Sequence, residues 1–262
     1  MFELVLAAVI QQAATPPAPP PSDDIVVSGL RDIDDPASAV THQTLGSNAT
    51  GRGARASREV YQLADRFARC AIDDASGTRD RSRKALDGVV NGASQRFWQG
   101  RIVEQRSGCA LDPDLARYGS ALDAPGYDTS YYERGALFVR AMQLFAPDLK
   151  LTPRDTGDPA VQARFNAREI PLARFRLPLD RRYFEAAVCF VRLQPQLAGR
   201  LVQTDAADSI AWIEAAMVNR ARVCVGNARK VFFDPSQFRF YIADAVYRWA
   251  VATRGTDSLI PR

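Results

Sequence analysis

The chain has 262 residues, of which 47% are hydrophobic and 24% are charged, and these ordinary values exclude a wholly disordered or wholly membrane-embedded protein. Its 34 basic and 30 acidic residues leave a net charge of only +4, which argues against a dedicated nucleic-acid-binding protein. The basic excess still permits contact with an anionic surface.

The N-terminus is apolar over residues 2–10 and continues with small residues at Ala13 and Ala14. A run of this length matches the core of a signal peptide and is far shorter than the about 20 residues that span a bilayer. We therefore predict a signal peptide over residues 1–14 and a periplasmic or secreted protein, although Glu3 and the missing Lys or Arg depart from the usual pattern. The alternative is an apolar N-terminus on a cytosolic protein.

Residues 15–56 open with a Pro-rich run and close with a Gly-, Ser-, Thr- and Arg-rich stretch, so we predict a flexible arm. The arm contains the heptapeptide Asp-Asp-Ile-Val-Val-Ser-Gly at 23–29, and its residues 25–28 are strand-like. The heptapeptide resembles the TonB box of TonB-dependent outer-membrane receptors, which adds a strand to a partner protein. The resemblance implies an envelope protein partner for the arm. The alternatives are an edge strand or an extended arm lying on the folded domain.

Apolar residues at helical spacing follow the arm and predict an all-α domain. In the last predicted helix, Asp234 is the N-cap and Pro235 takes the first helical position, where its missing N–H is not needed. Its core stripe is predicted to contain Phe238, Ile242, Ala245, Val246 and Trp249. The other predicted helices cover residues 57–71, 80–90, 129–146, 158–168, 183–191 after a cap at Asp180, and 207–222.

The helical part divides into two halves of similar layout. The first half covers 57–150 and the second 180–254, with an Arg- and Pro-rich connection at 151–179 and a tail at 255–262. Each half has a buried helix with a cysteine, then a second cysteine, then an aromatic-rich helix that ends with an arginine. Internal duplication and chance likeness between helices both remain open explanations.

The four cysteines, Cys70, Cys109, Cys189 and Cys224, are widely spaced. This spacing differs from the close pairs of zinc sites and of C-x-x-C redox centres, so it predicts disulfides. Disulfides persist in oxidising compartments, which agrees with export. The parallel layout of the halves predicts the pairs Cys70–Cys109 and Cys189–Cys224, and the other two pairings are the alternatives.

The sequence contains few groups that could catalyse a reaction. The single histidine, His42, lies in the predicted arm, and no nucleophile elbow or phosphate-binding loop is present. The carboxylates near or within apolar helices are Glu133, Glu185 and Asp244, which could act as in a glycoside hydrolase. Helix-dipole and i,i+4 pairing explain them more simply, as for Asp244 with Arg248. We therefore predict no catalytic residue, no metal site and no cofactor.

The connection at 151–179 and the residues that follow it are rich in arginine. Guanidinium groups suit phosphate or carboxylate ligands, so these side chains are candidates for an anion-binding strip. The alternative is a solvated surface, which the interspersed Asp155, Asp158 and Asp180 favour. The candidate arginines are Arg164, Arg168, Arg174, Arg176 and Arg181.

Together these features predict an exported helical interaction or scaffold protein of the cell envelope. It would contact an envelope protein through its arm, would not bind nucleic acid and would not span the membrane once the signal peptide is removed. A carboxylate-based envelope glycan hydrolase and a carrier of an anionic ligand are the alternatives.

Overall fold

A computed structural model of the chain describes residues 61, 62, 64–73, 75–105, 130–226 and 235–262. Within these ranges the protein is all-α, as the apolar spacing predicts, and contains no strand. The predicted signal peptide, the arm with its strand-like residues, His42, Cys109 and the Asp234 cap lie outside the described residues.

The described part begins with helical turns at residues 61, 62 and 64–71. A 3₁₀ helix, Arg222–Val225, lies between the last two of the α-helices that follow. These are α1 (Ser76–Leu86), α2 (Ala93–Gln105), α3 (Ser130–Phe145), α4 (Pro153–Gly157), α5 (Pro159–Ala173), α6 (Pro178–Leu193), α7 (Pro195–Gln203), α8 (Ala207–Arg220) and α9 (Pro235–Arg254).

The sequence pattern finds most of these helices but misses α2, the five-residue α4 and α7. Polar and apolar residues are mixed around α2, so it shows no apolar stripe, and α7 is only nine residues long and follows α6 after the single residue Gln194. The helix predicted at 80–90 ends earlier, at Leu86, where the backbone N–H of Asp87 donates to Arg83. The connection at 151–179 contains both α4 and α5.

Asp180 is not the N-cap of α6, which is a correction to the prediction. The cap is Leu177, and Pro178 occupies the first turn. The side chain of Asp180 is turned inward, where its carboxylate accepts a hydrogen bond from the hydroxyl of Tyr241. True side-chain caps occur in the preceding connection, where Thr152 and Asp155 form a capping box and Asp158 caps α5. Such caps typically stabilise a helix by about 1 kcal/mol.

Helix α9 lies at the centre of the fold and packs against α3, α5, α6 and α7. Its residues are buried on every side from 236 to 252, rather than along the predicted stripe alone. A helix that is apolar nearly all round is expected to be surrounded by others. The charged residues within this stretch, Arg239, Asp244 and Arg248, are therefore buried, and each needs a partner inside the protein.

Gly135 allows α3 and α9 to approach closely. A Cβ atom at this position would lie 2.6 Å from Cγ of Phe240. We therefore predict that Gly135→Ala lowers the free energy of unfolding by about 1–3 kcal/mol, since a rigid ring and a helix backbone would have to move apart. Urea unfolding followed by circular dichroism measures this change.

The control for Gly135→Ala is Gly199→Ala within α7. A Cβ atom at Gly199 meets nothing within 4 Å, so alanine should stabilise the helix by about 0.5–1 kcal/mol. Equal effects of the two substitutions would show that the α3–α9 contact is not limited by space at Gly135.

Candidate functional site

Six charged side chains form a buried network around α9, and we call this network the charge cluster. They come from α3, α5, α6, α9 and the turn between α5 and α6, and all six residues are buried. Three arginines face three carboxylates, so the formal charges balance. The members are Arg134, Glu169, Arg176, Asp180, Asp244 and Arg248.

Asp244 is the central carboxylate of the charge cluster. One of its oxygens accepts a hydrogen bond of 2.6 Å from Nη2 of Arg176, and the other accepts one of 2.6 Å from Nε of Arg248. Arg248 also contacts Glu169, with 3.0 Å between Nη1 and Oε2. Asp244 therefore links the arginine that follows α5 with the arginine one turn later on its own helix.

Asp180 is the second carboxylate of the charge cluster that contacts two arginines. Its Oδ1 lies 3.0 Å from the hydroxyl of Tyr241, 3.3 Å from Nη1 of Arg176 and 3.5 Å from Nη2 of Arg134. These contacts connect α3, α6 and α9 through one carboxylate. The sharing of Arg176 between Asp180 and Asp244 makes the cluster continuous.

The charge cluster holds Asp244 and Arg248 in their ionised forms. Burial by itself would raise the pKa of Asp244, but the nearby charges of Arg176, Arg248 and Arg134 outweigh it and keep that pKa well below its usual range. Burial would lower the pKa of Arg248, yet Asp244 and Glu169 raise it. A general acid must hold a proton near neutral pH, so Asp244 is poorly suited to that role.

Aromatic rings lie over two of the guanidinium groups of the charge cluster, those of Arg176 and Arg248. The Cζ atom of Arg176 lies 3.6 Å from the ring centroid of Phe184, and that of Arg248 lies 5.7 Å from Phe138 and 5.9 Å from Phe184. Within the described residues, Nη2 of Arg248 has no hydrogen-bond partner. Ring faces attract cations, which offsets part of the cost of this unmade hydrogen bond.

Glu185, like Asp244, occurs in a helical ion pair. The predicted i,i+4 pair Asp244–Arg248 is confirmed, and Asp65 forms a pair of the same spacing with Arg69 at 2.7 Å. Glu185 accepts a hydrogen bond of 2.8 Å from Arg181. The side chain of Glu133 lies outside the described residues. Among the described residues, no group of three or more His, Cys, Asp or Glu side chains is placed to hold a metal ion.

The arginines of the predicted anion-binding strip contact different parts of the protein. Nε of Arg164 donates to the backbone oxygen of Ala252, and Arg168 forms an ion pair with Asp87 at 3.2 Å. Arg176 belongs to the buried charge cluster. The other two are exposed, with Arg174 over the ring of Phe175 and Arg181 beside Glu185. Anion binding by these residues stays a prediction.

A disulfide joins Cys189 of α6 to Cys224 of the 3₁₀ helix, with 5.6 Å between the Cα atoms. This is the pair predicted for the second half. Cys224 is fully buried, so the bridge fastens the 3₁₀ helix to the core. The pairing predicted for Cys70 involves a residue outside the described part and stays a prediction.

Asp205 forms a second junction, in the loop between α7 and α8. Its carboxylate lies 2.8 Å from Nη2 of Arg69, 3.2 Å from Nε2 of Gln143 and 3.4 Å from Nη2 of Arg239. The guanidinium of Arg239 also stacks over the ring of Tyr61, at 4.5 Å. The junction ties the first helical turns, α3 and α9 to one loop.

Sequence reasoning missed Arg134, Glu169, Tyr241 and Arg239 as members of these networks. A signal was available for Arg239, because a helix that is apolar nearly all round must bury whatever charges it carries. No such signal exists for Arg134 or Glu169, because each reaches its ion-pair partner, Asp180 or Arg248, only when helices distant in the sequence pack together.

The outer side of α8 carries an exposed apolar surface. Trp212 is 53% exposed, and Val223 on the adjoining 3₁₀ helix is 58% exposed. The guanidinium of Arg200 lies over the Trp212 ring, 5.8 Å from its centroid. Arg200 is exposed, and so are Arg220 at the end of α8 and Arg222 on the 3₁₀ helix, where Arg222 donates to the side chain of Asn219. We call this surface the Trp212 face, and it contains Ala211, Trp212, Ala215, Asn219 and Val223 with the three arginines.

None of the helices in the described ranges is long and apolar enough to cross a membrane. No protein family model, curated protein or solved structure matches the chain.

Proposed function

We propose that the protein is an exported interaction or scaffold protein of the cell envelope. In this proposal the helical domain is a rigid body, and the arm at residues 15–56 engages an envelope protein. The observation that carries the proposal is the Cys189–Cys224 disulfide, because disulfides persist in oxidising compartments outside the cytoplasm. The apolar run at residues 2–10 supplies the matching export signal.

A role in binding is favoured over catalysis by the state of the buried carboxylates. Asp244 and Asp180 each contact two arginines, and Glu169 contacts Arg248 and Arg168. Catalytic acids usually have pKa values moved toward neutrality, whereas the pKa of Asp244 is moved away from it. The charge cluster therefore supports a structural role, which suits a scaffold.

The arm-mediated contact can be tested by crosslinking in intact cells. We expect a crosslinker that does not cross the cytoplasmic membrane to join the protein to a defined partner. This crosslink should be lost when residues 15–56 are deleted, and also in the full chain when Ile25, Val26 and Val27 are all replaced by serine. Mass spectrometry of the captured band identifies the partner.

The matched control replaces Ser47, Ala49 and Thr50 of the same arm by glycine and should keep the crosslink. An unchanged set of crosslinks after the deletion would overturn the arm-mediated contact. A chain that reacts only after cell lysis would overturn export.

A further inference from the structure

The Trp212 face combines exposed apolar area with positive charge. Trp212 and Val223 each expose more than half of their surface, whereas the only exposed acid within α8 is Asp208. Residues 57–262 as a whole also carry a positive charge, because they contain 31 Lys and Arg against 24 Asp and Glu. A complementary occupant would be apolar and acidic.

One segment of the chain itself has this composition. Residues 23–35 carry five aspartates and one arginine, and among them are five aliphatic residues. The aspartates are Asp23, Asp24, Asp32, Asp34 and Asp35, and the aliphatic residues are Ile25, Val26, Val27, Leu30 and Ile33. The segment can therefore place carboxylates against arginines and aliphatic side chains against Trp212 and Val223.

The connecting chain is long enough for this contact. Residues 36–60 separate the acidic segment from the first described helical turn, and a stretch of about 25 residues reaches at most about 85 Å. A domain of about 200 residues has a radius of gyration of only about 17 Å. The segment can thus reach any side of its own helical domain.

We infer that residues 23–35 dock on the Trp212 face of their own chain. The apolar side chains bury part of Trp212 and Val223, while the aspartates face Arg200, Arg220 and Arg222. This inference goes beyond the proposed function, because the docked segment includes the strand-like residues 25–28 that would engage a partner. A partner protein must then compete with the Trp212 face for the arm.

Docking within one chain requires only weak intrinsic affinity. At an effective concentration of about 1 mM for two linked parts, a dissociation constant of about 0.1 mM between the separate parts would leave about 90% of the arms docked. The carboxylate–arginine contacts lie at the protein surface and are screened by salt. Docking should therefore weaken as ionic strength rises.

Fluorescence quenching of Trp212 in the purified full chain tests this inference. A Trp98→Phe background leaves Trp212 as the exposed tryptophan, since Trp249 is 2% exposed. We expect the acrylamide quenching constant to rise about twofold when the five aspartates of residues 23–35 are replaced by asparagine. Adding 0.5 M NaCl to the protein with the unsubstituted arm should raise the quenching constant by a similar factor.

A charge exchange distinguishes docking from general effects of substitution. Arg220→Glu with Arg222→Glu should raise the quenching constant, and adding Asp34→Arg and Asp35→Arg should lower it again. The control pair Arg96→Glu and Arg154→Glu, on exposed positions of α2 and α4, should leave it unchanged. Circular dichroism checks that each variant keeps its helices.

Three results would overturn the inference. The first is an equal quenching constant with and without the five aspartates. The second is a constant that depends on protein concentration between 1 and 100 µM, which would assign the contact to a second copy. The third is protection of Trp212 only when vesicles of anionic lipid are added, which would assign the face to a membrane surface. None of these readouts depends on the envelope partner, so the proposed function is tested separately.

Discussion

Replacing Asp244 by asparagine should lower the free energy of unfolding by about 3–5 kcal/mol, because it leaves Arg176 and Arg248 buried without their shared counter-charge. Both arginines are almost completely shielded from water, and each lies 2.6 Å from an Asp244 oxygen. Asparagine keeps the size of the side chain, so the loss reports charge rather than volume. Urea unfolding followed by circular dichroism measures it.

The control for Asp244→Asn is Asp65→Asn, which removes one partner from a helical ion pair of similar length. The side chain of Arg69 is 42% exposed, so water can solvate it, and the expected loss is at most about 1 kcal/mol. A loss at Asp244 no larger than the loss at Asp65 would contradict the view that the charge cluster is sealed from solvent.

Removing the Cys189–Cys224 bridge by the double substitution Cys189→Ser and Cys224→Ser should cost about 4 kcal/mol. The bridge closes a loop of 35 residues. For a loop of this length, the chain-entropy model gives about 4 kcal/mol from the conformational entropy that the unfolded chain regains. The midpoint of urea unfolding should fall accordingly. The loss would be a large part of a typical total stability of about 5–15 kcal/mol.

Dithiothreitol separates this bridge from any other disulfide. On the unsubstituted protein, the reductant should cause at least as large a loss as the double substitution. On the double variant, a further loss would indicate the second predicted bridge. If the double variant unfolded at the same urea concentration as the unsubstituted protein, the bridge would not constrain the unfolded chain as the model assumes.

Local patterns in the sequence predict much of the fold because helices form from neighbouring residues. The spacing of apolar residues places α3 and α8 within about two residues, and Pro235 marks the start of α9. Helix α2 escapes prediction because it has no clear apolar stripe. The single predicted stripe also understates the burial of α9, because its other face is shielded from water only when the surrounding helices pack against it.

The charge cluster is less predictable, because its contacts join residues that are far apart in the chain. The pair of Asp244 with Arg248 follows from i,i+4 spacing. The contact of Asp244 with Arg176 spans 68 positions and depends on the packing of the α5–α6 turn against α9. The disulfide could be predicted because cysteines are few, and four of them allow only three pairings.

The position of α9 in the order of the helices has a consequence for how the domain comes together. A chain that emerges from the ribosome or a translocation channel with its N-terminus first presents α3, α5, α6 and α7 before residues 235–254 arrive. Until then, the apolar sides that will cover α9 stay open to solvent and to other chains. We expect a chaperone to prevent such a chain from associating with other chains during this interval. The domain is expected to gain most of its stability in one late, cooperative step.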